Sequence, residues 1–150
     1  MVIHTEMEIE IVASPARVWE VMKDVERWPE WTPSITRVKR LDSGPFRPGS
    51  EARIRQPRLP QMVWRVTRLE PNRGFVWETR GWGALTVAEH WISPHGEGSK
   101  VVLIVQQAGL LMPIFRSWIS KLTRGNMELE AQGLKRRCEA SPDTVRRGAA

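Results

Sequence analysis

The chain has 150 residues, of which 41% are hydrophobic and 27% are charged. This length and composition exclude extensive disorder and predict one globular domain with a sizeable core. The formal net charge of +6 raises the question of nucleic-acid binding, but the basic residues are scattered along the chain. Scattered charge is typical of a solvated surface, so nucleic acid is not an expected partner.

The sequence offers few features for disulfide formation, metal binding or export. Cys138 is the single cysteine, which excludes an internal disulfide, and no Cys/His spacing indicates a metal site. Glu6, Glu8 and Glu10 interrupt the apolar N-terminal segment, which argues against a signal-peptide core. No window reaches the roughly 18 to 20 apolar residues of a membrane span. We therefore expect a soluble, cytoplasmic protein without a metal or other cofactor.

The first elements follow from alternation and capping. Residues 5–12 alternate between apolar and acidic side chains, which predicts a strand with one buried face. Ser14 followed by Pro15 is typical of a helix start, and it predicts a short helix to about Lys23. A brief second helical turn is expected at 25–28 before prolines break the segment.

Six further strands are predicted between turns that are rich in Gly and Pro. They span 34–41, 50–56, 62–66, 75–80, 84–92 and 100–107. The connections are short, which favours an antiparallel meander. An apolar pattern of helical period then runs from about Met112 to about Cys138, a helix of roughly 40 Å. We expect one domain over 1–140 and a frayed tail over 141–150.

Four segments resemble the START-like (SRPBCC) superfamily, in its polyketide cyclase/dehydratase and lipid-transport branch. They are ASPARVWEVMKDVERWPEWTPS at 13–34, LEPNRGFVWE at 69–78, AEHW at 88–91 and MELEAQGLKRRCE at 127–139. The resemblance implies an α+β helix-grip fold, in which a curved antiparallel sheet of about seven strands surrounds a long C-terminal helix. It also implies two short helices after strand one and a cavity between sheet and helix. Because the superfamily includes carriers, receptors and enzymes, the fold alone does not select a function.

Strand alternation and helix periodicity assign a set of mostly apolar side chains to the wall of this cavity. They are Trp31, Ile54, Gln56, Trp64, Trp77, Thr79, His90, Phe115, Ile119 and Leu122. An apolar wall with a few polar groups is typical of a small-molecule site, although the same residues could fill a core. Trp28 is assigned to packing, whereas Trp31 could pack or border the cavity.

His90 is the titratable side chain on an inward strand face, where it could anchor a ligand, act as an acid/base catalyst, or serve structure alone. A cyclase or dehydratase must remove one proton and stabilise or protonate an oxygen. The candidates for these roles are His90, Gln56, Thr79, Asn126 and Glu130. For Glu130 we expect instead an ion pair with Arg137 or Lys135 near the helix end.

The leading hypothesis is a protein that binds or carries a small hydrophobic or amphipathic ligand, such as a lipid, isoprenoid or polyketide. An alternative is a polyketide cyclase/dehydratase-type enzyme in which His90 is the acid/base catalyst, working without a metal or nucleotide. A second alternative is a non-catalytic interaction module. Apolar residues in the loops at 81–84 and 108–113 make peripheral contact with a membrane a further hypothesis. The oligomeric state is not set by the sequence.

Overall fold

A computed structural model describes residues 1–140, which form an α+β helix-grip fold as predicted. Seven antiparallel strands make one sheet in the spatial order β1-β7-β6-β5-β4-β3-β2. The strands are β1 (Val2–Ile11), β2 (Arg37–Arg40), β3 (Glu51–Arg55), β4 (Met62–Glu70), β5 (Gly74–Gly81), β6 (Ala84–His95) and β7 (Gly98–Gly109). The helices are α1 (Pro15–Lys23), a 3-10 helix (Val25–Glu30) and α2 (Met112–Glu139). The predicted frayed tail at 141–150 lies outside the described residues.

An N-cap starts α1, and a hydrogen bond from an indole joins the 3-10 helix to α1. The Ser14 hydroxyl accepts a hydrogen bond from the Arg17 backbone N–H at 3.2 Å, and Pro15 occupies the first turn of α1, as the sequence predicts. The indole of Trp28 on the 3-10 helix donates to the carbonyl of Met22 on α1 at 2.9 Å. Because Trp28 is only 1% exposed, this bond places a large ring at the centre of the core.

Several strand boundaries differ from the prediction by a few residues, and two of these differences have a local reason. The strand expected from residue 34 begins only at Arg37, since the hydroxyls of Thr32 and Ser34 bond to each other at 2.7 Å and hold a turn. In the other direction, β6 extends to His95, where a turn was expected. The β6–β7 ladder continues to the last pair, His95 with Gly98, which shortens the connection.

The helix α2 crosses the concave face of the sheet, and its two halves have different surroundings. In the second half, Met127, Ala131, Leu134 and Cys138 are buried at helical spacing. A side chain at Gly133 would meet the carbonyl oxygen of Trp31, so glycine permits this close approach. The first half projects beyond the core and carries large apolar side chains that are exposed.

Candidate functional site

A cavity of about 760 Å³ lies between the concave face of the sheet and α2. Its wall is mostly apolar and is built by β3 to β7, by α2, by Trp28 of the 3-10 helix and by Ile35, which follows that helix. It opens at one end of the sheet, where the β3–β4 loop, the β5–β6 turn and the start of α2 meet. This volume and polarity fall within the range of small-molecule sites.

The small residues Gly81 and Ala84 pair with each other at the mouth. Below them, the strand register divides the sheet wall of the cavity into three layers. The outer of these layers is polar and consists of Thr79, Thr86 and Gln107. The middle layer is apolar and consists of Trp77, Ala88 and Val105. The deepest layer holds His90 between Phe75 and Leu103. At about 3.4 Å per residue, His90 lies about 14 Å along β6 from Thr86.

An ionisable pair lies at the deep end. The imidazole Nε2 of His90 on β6 is 2.9 Å from a carboxylate oxygen of Glu130 on α2. The His90 ring stacks on Phe75 with ring centroids 4.6 Å apart, and the ring of Trp28 approaches it edge-on. The His90 side chain is 5% exposed and that of Glu130 is 17% exposed. Glu130 is therefore the more accessible member of the pair.

The hydrogen-bond partners of His90 indicate its tautomer. Nε2 faces the Glu130 carboxylate, which accepts a hydrogen bond from it. The other ring nitrogen, Nδ1, is buried and has no partner among residues 1–140. A proton on Nδ1 would be left buried and unpaired, which is costly. We therefore assign the proton to Nε2, with His90 holding Glu130 and Nδ1 left as an unprotonated acceptor.

The expected ion pair of Glu130 with Arg137 or Lys135 is wrong. Arg137 instead binds Glu30 at 2.8 Å, and Lys135 binds Glu139 at 2.6 Å. Residue 130 lies on the side of α2 that faces the sheet, so its carboxylate meets a strand residue rather than its helix neighbours.

Two side chains that were predicted as polar contacts for a ligand already donate hydrogen bonds to backbone carbonyls. The Thr79 hydroxyl donates to the carbonyl of Val63 at 2.7 Å. The amide nitrogen of Gln56 donates to the carbonyl of Ser34 at 3.4 Å. Both side chains border the cavity, but what they offer a ligand is chiefly an acceptor oxygen.

The structure places most of the predicted wall residues around the cavity. These are Ile54, Gln56, Trp64, Trp77, Thr79, His90, Phe115 and Ile119. Trp31 and Leu122 do not border it. Trp31 lies behind Trp28, and the centroids of the two rings are 5.4 Å apart. On α2, Trp118 lies one turn before Leu122 on the same face of the helix and lines the wall instead of it. Trp28, assigned to packing, both packs and borders the cavity.

Sequence reasoning missed part of the polar lining. Thr123 on α2 donates to the side-chain oxygen of Gln107 on β7 at 3.2 Å, and both border the cavity. Thr86 borders it as well. Its alternation with His90 was a usable signal, since residues 86, 88 and 90 share one face. The contact between Thr123 and Gln107 depends on how α2 seats on the sheet, which no local pattern encodes.

Three further features of residues 1–140 concern clustered metal-ligand side chains, the hydropathy of the helices and the single cysteine. No group of three His, Cys, Asp or Glu side chains in that part of the chain could hold a metal ion. None of its helices is long and apolar enough to cross a bilayer. Burial raises the pKa of the Cys138 thiol to about 12, so this cysteine is not a nucleophile at neutral pH.

The curved sheet, the long helix and the cavity between them define a START-like helix-grip protein. The chain belongs to the family described as polyketide cyclase / dehydrase and lipid transport, whose family model matches residues 2–139. No curated protein sequence matches the chain significantly.

Solved structures share the fold at low sequence identity. The aromatase/cyclase ZhuI from a Streptomyces species is 18% identical with a TM-score of 0.76, over 93% of this chain and 94% of that one. A START superfamily protein from Mycobacterium smegmatis is also 18% identical with a TM-score of 0.76, over 91% and 97%. The di-domain ARO/CYC protein BexL is 13% identical with a TM-score of 0.78, over 94% of this chain and 51% of that one. At these identities the likeness concerns the fold.

Proposed function

We propose that this protein binds one small hydrophobic or amphipathic molecule in the cavity, with a hydroxyl group of that molecule donating a hydrogen bond to Glu130. The observation that carries the proposal is an apolar cavity of about 760 Å³ whose deep end holds a hydrogen-bonded His90–Glu130 pair. An apolar space of this size favours burial of a hydrocarbon body. One accessible carboxylate at its end would orient that body, because a buried polar group gains most from a matching partner.

The layers of the wall indicate the shape of ligand that fits. The middle layer, with Trp77 and Ala88, offers apolar contact only, whereas the outer layer offers the oxygens of Thr86 and Gln107. A molecule with an apolar middle and oxygen functions at both ends matches this sequence of layers. Hydroxylated lipids, isoprenoid alcohols and polyketides share that chemistry.

A cavity-filling substitution tests the proposal. Thr86 faces the cavity and its neighbour Val87 does not, so Thr86→Trp fills the cavity while Val87→Trp is a matched control on the opposite face. In titrations with a fluorescent fatty-acid analogue, we expect Thr86→Trp to weaken binding at least about tenfold, equivalent to about 1.4 kcal/mol. Val87→Trp should bind like the wild type. Equal binding by all three proteins would refute ligand binding in this cavity.

A cyclase/dehydratase activity is the second candidate, and the His90–Glu130 pair favours it. Both ZhuI and BexL are described as aromatase/cyclase proteins. In such a reaction Glu130 would take a proton from the carbon beside a ketone. The same proton would pass to the hydroxyl on the next carbon, which leaves as water and gives a conjugated double bond. His90 would position the carboxylate rather than touch the substrate, which revises its expected role as the acid/base.

The activity is tested with a β-hydroxyketone and detection of the conjugated product by absorbance. Glu130→Gln keeps the shape of the side chain but cannot accept the proton, so turnover should fall by about 100-fold or more. His90→Gln should lower turnover less, because the carboxylate remains. Turnover that survives in Glu130→Gln would remove this residue from the mechanism. An absence of turnover in the wild type would refute the enzyme hypothesis and leave ligand binding as the proposed function.

A further inference from the structure

The mouth of the cavity is bordered by large apolar side chains that are exposed to solvent. We call this set the apolar rim: Trp82 (80% exposed), Leu110 (94%), Leu111 (51%), Ile114 (73%), Phe115 (47%) and Trp118 (55%). Trp82 lies in the β5–β6 turn, and the other five belong to the start of α2 and the two residues before it. The pairing of Ala84 with Gly109 brings these two segments to the same end of the sheet.

The apolar rim is not explained by the core. Single exposed apolar residues are common, but a group of large ones around one opening marks an interaction surface. Trp82 also has a φ of +57°, in the left-handed region that favours glycine. A bulky side chain at this strained turn position is 80% exposed, so it makes little contact that would offset the strain.

The charged side chains at the cavity-mouth end of the molecule are basic. The segments that reach this end include 1–5, 53–68, 79–88 and 105–127. None of these segments contains Asp or Glu, although the chain has 17 of them. Exposed basic residues in these segments include Arg58, Arg116 and Lys121. None of the three forms an ion pair with another residue in 1–140. This end is therefore both apolar and cationic.

We propose that the apolar rim docks on an anionic lipid bilayer. Trp82, Ile114 and Trp118 would enter the headgroup region, where indole rings are favoured, and the free basic side chains would face lipid phosphates. A second copy of the chain is a poorer occupant, because a symmetric rim-to-rim contact would oppose Arg116 and Lys121 to their own copies.

The rim and the cavity wall are continuous. Trp82, Leu111, Phe115 and Trp118 are exposed and also border the cavity. A lipid-like molecule could therefore pass between the bilayer and the cavity along apolar surface, without crossing water. Docking itself does not rest on the proposed ligand function, since it needs only the rim.

Vesicle sedimentation tests the docking, using phosphatidylcholine vesicles with and without phosphatidylglycerol. The wild type should bind the anionic vesicles and bind the neutral ones far less. In Arg116→Glu/Lys121→Glu the affinity should fall at least about tenfold, because each basic residue near an anionic surface contributes about 1 kcal/mol. Leu110→Ala/Ile114→Ala should also lose about tenfold through lost insertion. None of these four residues borders the cavity.

The matched control is Arg73→Glu/Arg136→Glu, which changes the net charge equally at two exposed positions away from the rim. It should lose no more than about twofold, because charges beyond the screening length contribute little. An equal loss in both charge variants would overturn the proposal, as would equal binding to both kinds of vesicle or to neither.

A wild type that dimerises in analytical ultracentrifugation, with a monomeric Leu110→Ala/Ile114→Ala variant, would assign the rim to a second copy instead. Uptake of the fluorescent fatty acid without vesicles, intact in every variant, separates a failure of docking from a failure of ligand binding.

Discussion

Glu130 meets His90 inside the cavity although 40 residues separate them in the chain. The inward direction of His90 could be predicted, because alternation along a strand fixes which face each side chain occupies. Its partner could not be predicted. The helix period places Glu130 on a face of α2, but the rotation of that helix on the sheet is set by packing of residues such as Met127 and Leu134. The sequence therefore predicted one half of the pair.

The pair makes a testable prediction about stability. His90→Phe keeps a ring in the aromatic stack but leaves the Glu130 carboxylate without its partner, so we expect a loss of about 1–3 kcal/mol in the free energy of unfolding. Adding Glu130→Leu should recover part of that loss. Urea denaturation of the two single variants and the double variant gives the coupling, for which we expect about 0.5–3 kcal/mol. Strict additivity would mean that the two side chains do not interact in solution.

The apolar spacing of α2 predicts where this helix begins and ends, but not which of its side chains are buried. Its limits agree with the prediction to within a residue, since Pro113 suits a first turn and the apolar spacing continues to Cys138. The same spacing does not reveal that the first half of the helix leaves its apolar side chains exposed. That outcome depends on where the sheet ends, which is a property of the assembled fold.

The two glycines of α2 should respond oppositely to substitution by alanine. A Cβ at Gly133 would meet the backbone of Trp31, whereas one at Gly125 would meet open space. We expect Gly133→Ala to destabilise the protein by about 1–3 kcal/mol through overpacking, in spite of the better helix propensity of alanine. Gly125→Ala should stabilise it by up to about 1 kcal/mol. Chemical denaturation measures both, and stabilisation by Gly133→Ala would contradict the close packing of helix and loop.

The end of α2 is fastened to β1 through Glu139, and this contact should depend on pH. A hydrogen bond from Lys135, assisted by the Val12 backbone N–H, lowers the pKa of the Glu139 carboxyl below its ordinary value of 4.5. A lowered folded-state pKa contributes stability above the unfolded value, and that contribution is lost as the pH falls through the folded pKa. Glu139→Gln should therefore cost at most about 1 kcal/mol at neutral pH. Its denaturation midpoint should approach that of the wild type at acidic pH, and a constant difference at every pH would contradict the assignment.

At the scale of the whole molecule, the fold could be predicted better than the site. Seven strands, two short helices and the long helix follow from local periodicity, caps and turns, and the family segments supply their arrangement. The depth of the cavity does not follow, because it depends on how far α2 stands from the sheet. Trp28 illustrates this, since a ring that is 1% exposed both fills the core and borders the cavity.

Native mass spectrometry of gently purified protein shows whether the cavity between the sheet and α2 holds a ligand. The wild type and Val87→Trp should each carry, or take up from a lipid extract, one apolar molecule that appears as added mass and can be extracted unchanged. Thr86→Trp, which fills the cavity, should show the bare polypeptide mass under the same conditions. A wild type that never carries an added mass, or a Thr86→Trp variant that retains it, would show that this cavity is not the binding site.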